Sequence, residues 1–130
     1  MSEKLKKTIA LRSIVMNQMA QVMPQGSLTF YQQAQKESIP GIYAVFTVEE
    51  IDTTDGRHTY ETEINLVGSG GDTATIENLA DDIQAHFDKL VIINGNVGVY
   101  FYADRRNNVE EEDRTIIRRR LTFSTYLYER

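Results

Sequence analysis

The sequence contains no cysteine, which excludes a disulfide framework and any metal site built on thiolates. It also lacks a long apolar run, because nothing approaches the roughly 20 apolar residues that a bilayer-spanning helix needs. The segment 1–7 is basic, but no apolar core of the signal-peptide type follows it. Arg12, Asn17 and Gln18 interrupt the apolar residues there. We therefore expect a protein that is neither secreted nor membrane-spanning and that folds by packing alone.

A basic balance is missing as well, since the formal net charge is −5 at pH 7. A generic nucleic-acid binder needs a basic face that displaces counterions from phosphates, so the charge argues against that class. Hydrophobic residues make up 41 % and charged residues 25 % of the chain, as in an ordinary folded globular protein. The length of 130 residues fits one domain, 1–130.

Hydrophobic periodicity predicts two amphipathic helices. The first spans about residues 3–23, and Pro24 ends it. The second spans about residues 73–89 and repeats apolar residues at helical spacing from Ile76 onward. We interpret both apolar stripes as faces that pack on a sheet, and we expect the acids of the second helix, Glu77 among them, to be solvated.

Period-two alternation predicts strands at 27–33, 42–51, 59–67, 91–93, 97–103 and 115–128. Strand 42–51 is apolar on both faces and is expected inside the sheet. An Asp55-Gly56 turn joins it to the next strand, and a glycine-rich link, 68–71, leads to the second helix. Asp72 or Thr73 is expected to cap that helix. The polar run 104–114 is expected to link the last two strands.

These elements define an α+β fold in the order α-β-β-β-α-β-β, with a mostly antiparallel sheet and two helices packed on one face. No catalytic constellation accompanies them. The glycine-rich link lacks the lysine of a phosphate-cradling loop, and Asp72 would repel a phosphate. His58, in a predicted turn, and His86 lack a second histidine at ligand spacing, so zinc is not expected. We expect no enzyme, no metal site and no cofactor.

Charged and aromatic side chains are predicted on the outward sides of two strands. The last strand carries Arg118, Arg120 and Tyr126 there, and the hairpin strand carries Glu61 and Glu63. Opposite charges on the two exposed strand faces of one domain form cross-strand pairs within one subunit, or they meet between copies in a ring. Tyrosine and arginine enrichment suits the centre of an interface. The residues alone leave both alternatives open.

The assembled pattern resembles the tail terminator (tail completion) proteins of long-tailed bacteriophages and related prophage elements. The matching segments, within about residues 5–128, are the first helix, 39–46, 60–67, 74–83 and 118–123. The charged run 104–114 is longer than the family pattern. The resemblance implies a structural virion protein, a hexameric ring that caps the growing tail tube, stops its polymerisation and faces the head connector.

The resemblance also implies the partners: further copies of the chain, the tail tube protein and a neck or head-completion protein. DNA would pass through the lumen without specific recognition, and no membrane is involved. The protein would act in the host cytoplasm during assembly and then in the tail–neck region of the virion. The interface candidates are Glu61, Glu63, Arg118, Arg120 and Tyr126, with contacts to a neighbouring ring or the lumen expected from Arg105, Arg106, Glu110, Glu111 and Glu112.

Two alternatives remain at this stage. One is a head–tail connector or other neck protein of the same virion, which would bind the portal side rather than the tube. The other comes from a different class, a small ligand-binding or enzymatic α+β domain that uses the glycine-rich link.

Overall fold

The structure is a computed structural model that describes residues 3–33, 41–54, 57–109 and 115–129. Helix α1 spans Glu3–Val22, and helix α2 spans Thr73–Phe87 after a short 3-10 turn at Gly70–Asp72. The strands are β1 Thr29–Tyr31, β2 Tyr43–Thr54, β3 Arg57–Ser69, β4 Val91–Asn94, β5 Val97–Val109 and β6 Ile116–Glu129. The predicted α+β architecture is confirmed, and three strands follow α2 once the short β4 is counted.

All six strands form one sheet in the order β1-β2-β3-β6-β5-β4. Only the β1–β2 pair is parallel, and the other four pairs are antiparallel. The centre of the sheet is the long β3–β6 ladder, which runs from Arg57 opposite Tyr128 to Ser69 opposite Ile116. β1 pairs with β2 only from Ala44 to Phe46, so the predicted interior position of β2 is confirmed for that segment alone.

Both helices pack on one face of the sheet and bury their apolar stripes there. The fully buried helix residues are Leu11, Val15, Met19, Ile76, Ala80, Ile83 and Phe87. They contact the side chains that alternate inward from the strands, which are Ala44, Phe46, Tyr60, Ile64, Leu66, Val99, Phe101, Leu121, Phe123 and Leu127. The core therefore lies between one face of the sheet and the helices, as the periodicities predict.

The polar run after residue 103 is strand rather than link for its first half, because β5 continues to Val109. A bulge between Ala103 and Arg105 shifts the register, after which pairing with β6 resumes as far as Val109 opposite Arg118. Backbone hydrogen bonds to β6 hold these polar residues in the sheet whatever their side chains. The predicted link was wrong here because side-chain polarity says little about the backbone of a paired strand.

Helix α2 packs closely against β3 at its start, and one of the two residues predicted to cap it, Asp72, makes no capping bond. A Cβ on Gly68 would lie 2.8 Å from Cδ1 of Ile76, so the glycine lets the helix approach the strand. Asp72 occupies the N-cap position but makes no capping bond; its carboxylate accepts a hydrogen bond of 2.9 Å from Ser69 Oγ. The cap prediction is wrong for Asp72, because the intervening 3-10 turn brings this hydroxyl to it. The Asp55-Gly56 turn lies outside the described residues.

Candidate assembly surface

The sheet face opposite the helices, here called the helix-free face, carries most of the predicted interface residues. Side chains alternate along each strand, so the neighbours of the inward core residues lie on this face. Among its charged and large apolar members are Arg57, Glu61, Glu63, Val91, Ile93, Tyr100, Tyr102, Arg105, Arg118, Arg120, Tyr126 and Tyr128. The strand register places these residues in a charged half and an aromatic half, with Arg57 at the border of the aromatic half.

The charged half consists of Glu61, Glu63, Arg105, Arg118 and Arg120. Arg105 Nη2 lies 3.6 Å from Glu61 Oε1, and Arg120 Nε lies 3.1 Å from Glu63 Oε1. The structure therefore shows the within-subunit alternative for these two pairs. Partly exposed ion pairs of this kind contribute only about 0–1 kcal/mol to stability. Their charges are already balanced, which reduces what they offer to a neighbouring copy.

Arg106 lies on the helix side of the sheet, opposite to its neighbour Arg105. It donates to Asp81 Oδ1 at 2.5 Å and to Glu77 Oε2 at 2.9 Å, and the bond to Asp81 raises the pKa of the Arg106 guanidinium. Glu77 also accepts a bond from Nε of Arg119. Glu77 is 42 % exposed, so the expectation that it is solvated holds in part, but two arginines of the sheet also reach it. This geometry favours a role for Arg106 in holding α2 on the sheet.

The aromatic half consists of Val91, Ile93, Tyr100, Tyr102, Tyr126 and Tyr128. The rings of Tyr100 and Tyr128 meet edge to face at 5.5 Å between centroids, and those of Tyr102 and Tyr126 do so at 5.9 Å. Val91 and Ile93 extend this surface along the edge strand β4, where both are exposed. The result is an apolar surface that is already ordered by ring contacts and that water still reaches.

Sequence reasoning missed five of the six members of this half as interface candidates, because only Tyr126 was named as one. The sequence signal that could have found them is the alternation in β5, where the side chains of Tyr100 and Tyr102 lie on the opposite face from those of Val99 and Phe101. Antiparallel pairing with β6 then sets Tyr100 opposite Tyr126, so the outward tyrosines become neighbours.

His58 lies in β3 and faces the core, so its predicted position in a turn was wrong; β3 begins one residue earlier than the histidine. Its Nδ1 lies 3.0 Å from Thr53 Oγ1, and its two ring nitrogens lie 3.5 Å from carboxylate oxygens of Glu50 and Glu129. Within the described part of the chain, no group of three or more histidine, aspartate and glutamate side chains has a geometry that could hold a metal ion.

Acid is expected to weaken the attachment of α1 to the end of β6. Lys7 Nζ lies 2.6 Å from Glu129 Oε1, and this bond lowers the pKa of Glu129 below its ordinary value of 4.5. Because the pKa is lower in the folded than in the unfolded chain, the contribution is complete above that ordinary value and disappears as pH falls through the folded pKa. Glu129→Gln should therefore lose less stability on acidification than the wild type, in urea unfolding measured at stepwise lower pH. Glu49→Gln, a change at an exposed site, is the control and should keep the wild-type acid dependence; an unchanged profile in Glu129→Gln would contradict the assignment.

In the glycine-rich link Gly68 is closely packed, whereas Ser69 and Gly71 are exposed. Three surface cavities of about 160, 410 and 290 Å³ are each lined in part by α1, and none of the three is lined by residues 68–71.

No helix among the described residues is both long enough and apolar enough to cross a bilayer. The glutamate run 110–112 lies outside the described residues, so its expected contacts stay predictions.

No family model and no curated protein matches the chain. Among the solved structures that share its fold, one whose name gives no activity has a TM-score of 0.69 at 15 % identity, covering 100 % of this chain and 98 % of that chain. Another, a chain from the virion of a native gene transfer agent particle, has a TM-score of 0.68 at 14 % identity, covering 88 % of this chain and 91 % of that chain. Identities this low show a shared fold alone, and that fold occurs nearly end to end in a protein of a virion.

Proposed function

We propose that the chain is a structural virion protein of the tail terminator type, which forms a ring on the end of a tail tube and joins it to the neck. One observation carries the proposal: the α+β fold extends over 88 % of this chain and 91 % of a chain from a gene transfer agent virion. The segments that resemble tail terminators, in so far as the structure describes them, fall mainly on α1, β2, β3, α2 and β6 of this fold.

The helix-free face supports an assembly role on physical grounds. A subunit of a closed ring needs a surface that contacts a different surface of its neighbour, and apolar side chains at the centre of a contact supply most of its affinity. Five of the eight exposed large hydrophobic side chains among the described residues lie together in the aromatic half. A patch of this kind on a small domain marks an interaction site more often than an inert surface.

The proposed ring contains six copies, contacts the tail tube protein on one annular side and a neck protein on the other, and leaves a lumen through which DNA passes without specific recognition. The subunit is proposed to act by contact and not by catalysis, with no metal or cofactor. It is proposed to assemble in the host cytoplasm and to remain in the tail–neck region of the virion.

A tube-capping assay tests the proposal. Tail tube protein from the same virion is polymerised with and without the purified chain, and tube lengths and tips are measured by electron microscopy. We expect shorter tubes with a ring at one tip. Binding to the portal or neck in place of the tube would favour the connector alternative. Absence of binding to either, together with a thermal shift on addition of a small ligand, would favour the ligand-binding alternative.

A further inference from the structure

We propose that the aromatic half of the helix-free face binds the exposed side of helix α2 of a second copy of this chain. The proposal rests on the proposed ring assembly and names the two surfaces that meet. The patch and α2 lie on opposite sides of one sheet, so a subunit cannot satisfy the contact by itself. A contact between two different surfaces of identical chains repeats from copy to copy and closes into a ring when the rotation allows.

The patch offers an apolar centre with a cation at its rim. Ile93 is 63 % exposed, more than any other large hydrophobic side chain among the described residues. The guanidinium of Arg57 lies 5.3 Å from the ring centre of Tyr126, at the border of the patch. The two glutamates of the neighbouring charged half are already paired with Arg105 and Arg120, so they do not neutralise Arg57. The aromatic half therefore presents tyrosine rings and aliphatic side chains beside a positive charge.

The exposed side of α2 complements the aromatic half in charge and in shape. Its exposed residues after Thr73 are small, amide-bearing or acidic, namely Ala74, Thr75, Asn78, Asp81, Asp82 and Ala85. Asp81 is held by Arg106 of the same chain, whereas Asp82 makes no ion pair among the described residues. A helix surface with alanine and threonine lets tyrosine rings approach its backbone closely, and Asp82 supplies a partner for the rim arginine.

Association is tested with two isoleucines that are similarly exposed but lie towards opposite ends of the sheet. Ile93 lies in the patch, and Ile51 is 58 % exposed on β2, far from it in strand order. Sedimentation and native mass spectrometry follow the full chain over a range of concentrations, free and on tube tips. We expect Ile93→Asp to weaken self-association about tenfold or more, as the loss of one central apolar contact does, and Ile51→Asp to leave it unchanged. Equal association of both variants and the wild type would overturn the proposal.

Charge reversal tests whether α2 of a second copy is what binds the aromatic half. Arg57→Glu and Asp82→Arg should each weaken association, because like charges then face each other at every interface. A one-to-one mixture of the two variants should restore it, since alternating copies again pair opposite charges. Restoration also shows that both variants fold. Failure of the mixture to recover would overturn the pairing of patch and α2.

The outcomes separate this inference from the proposed function. If the chain caps tubes but Ile93→Asp abolishes tube binding and leaves self-association intact, the patch binds the tube and the inference fails alone. A wild type that stays monomeric both free and on tube tips also overturns the inference. If the charge-swapped mixture assembles but no form of the chain binds tubes, the inference stands and the proposed function fails.

Discussion

Replacing Phe87 by alanine is expected to lower the free energy of unfolding by about 4 kcal/mol, the middle of the range for a buried phenylalanine. The Phe87 ring is completely buried at the end of α2, where its centroid lies 5.2 Å from that of Phe101 and 5.4 Å from that of Phe123. Its removal takes away apolar burial, the contacts with these two phenylalanine rings and the main anchor of α2 on β5 and β6. Urea unfolding, followed by circular dichroism at low protein concentration, measures the loss.

The matched control is Phe30→Ala. Phe30 also contacts an aromatic ring of the sheet, since its centroid lies 6.2 Å from that of Tyr43. Unlike Phe87, it is partly exposed and lies on the edge strand β1. We expect a loss of no more than about 1 kcal/mol there, since little burial is removed. Similar losses for the two variants would show that Phe87 is not the anchor of α2.

The position of α2 and its buried side could be predicted from the sequence because the information is local. Ile76, Leu79, Ala80, Ile83 and Phe87 recur at helical spacing, and all five are buried. Period-two alternation was similarly sufficient to give β3 one core face, where Tyr60, Thr62, Ile64 and Leu66 lie. In both cases the spacing of the apolar residues matches the period of the helix or strand, and a short stretch of sequence is enough to show it.

The aromatic half could not be read from the sequence, because it depends on which strands are neighbours. Tyr100 meets Tyr128 only because β5 pairs antiparallel with β6 in one register. The division of Arg105 and Arg106 between opposite faces likewise needs the knowledge that the strand continues past Ala103. Polar composition made that segment look like a link, and only the ladder with β6 shows otherwise. Contacts set by strand order are long-range, and no local period encodes them.

The same limit applies to Glu77, whose partners are 29 and 42 residues away along the chain. Glu77 was predicted to be solvated because it lies off the apolar stripe of α2. In the folded chain its carboxylate lies between the guanidinium groups of Arg106 and Arg119, whose side chains are 22 % and 15 % exposed. The carboxylate thereby compensates two cations that the sheet has drawn largely out of water.

Glu77→Ala is expected to lower the free energy of unfolding by about 2 kcal/mol. Removing one partner of a fully buried ion pair costs about 3–5 kcal/mol, and Glu77 is 42 % exposed, so the effect is reduced by solvent. The loss arises chiefly because the largely buried guanidinium of Arg119 keeps its charge without the carboxylate that balances it. Urea unfolding at neutral pH measures this loss, with Asp82→Ala on the same helix as a control that should change stability by less than about 0.5 kcal/mol.

A double substitution tests whether the stability lost in Glu77→Ala comes from the unbalanced charge of Arg119. Glu77→Leu with Arg119→Met removes both charges and keeps apolar bulk between α2 and β6, so most of the loss caused by Glu77→Ala should be recovered. Arg119→Met alone should cost less than Glu77→Ala, because the carboxylate that it leaves behind is more exposed and still binds Arg106. If the double variant were as unstable as Glu77→Ala, an unbalanced arginine would not be the cause, and the loss would lie in the packing of α2 itself.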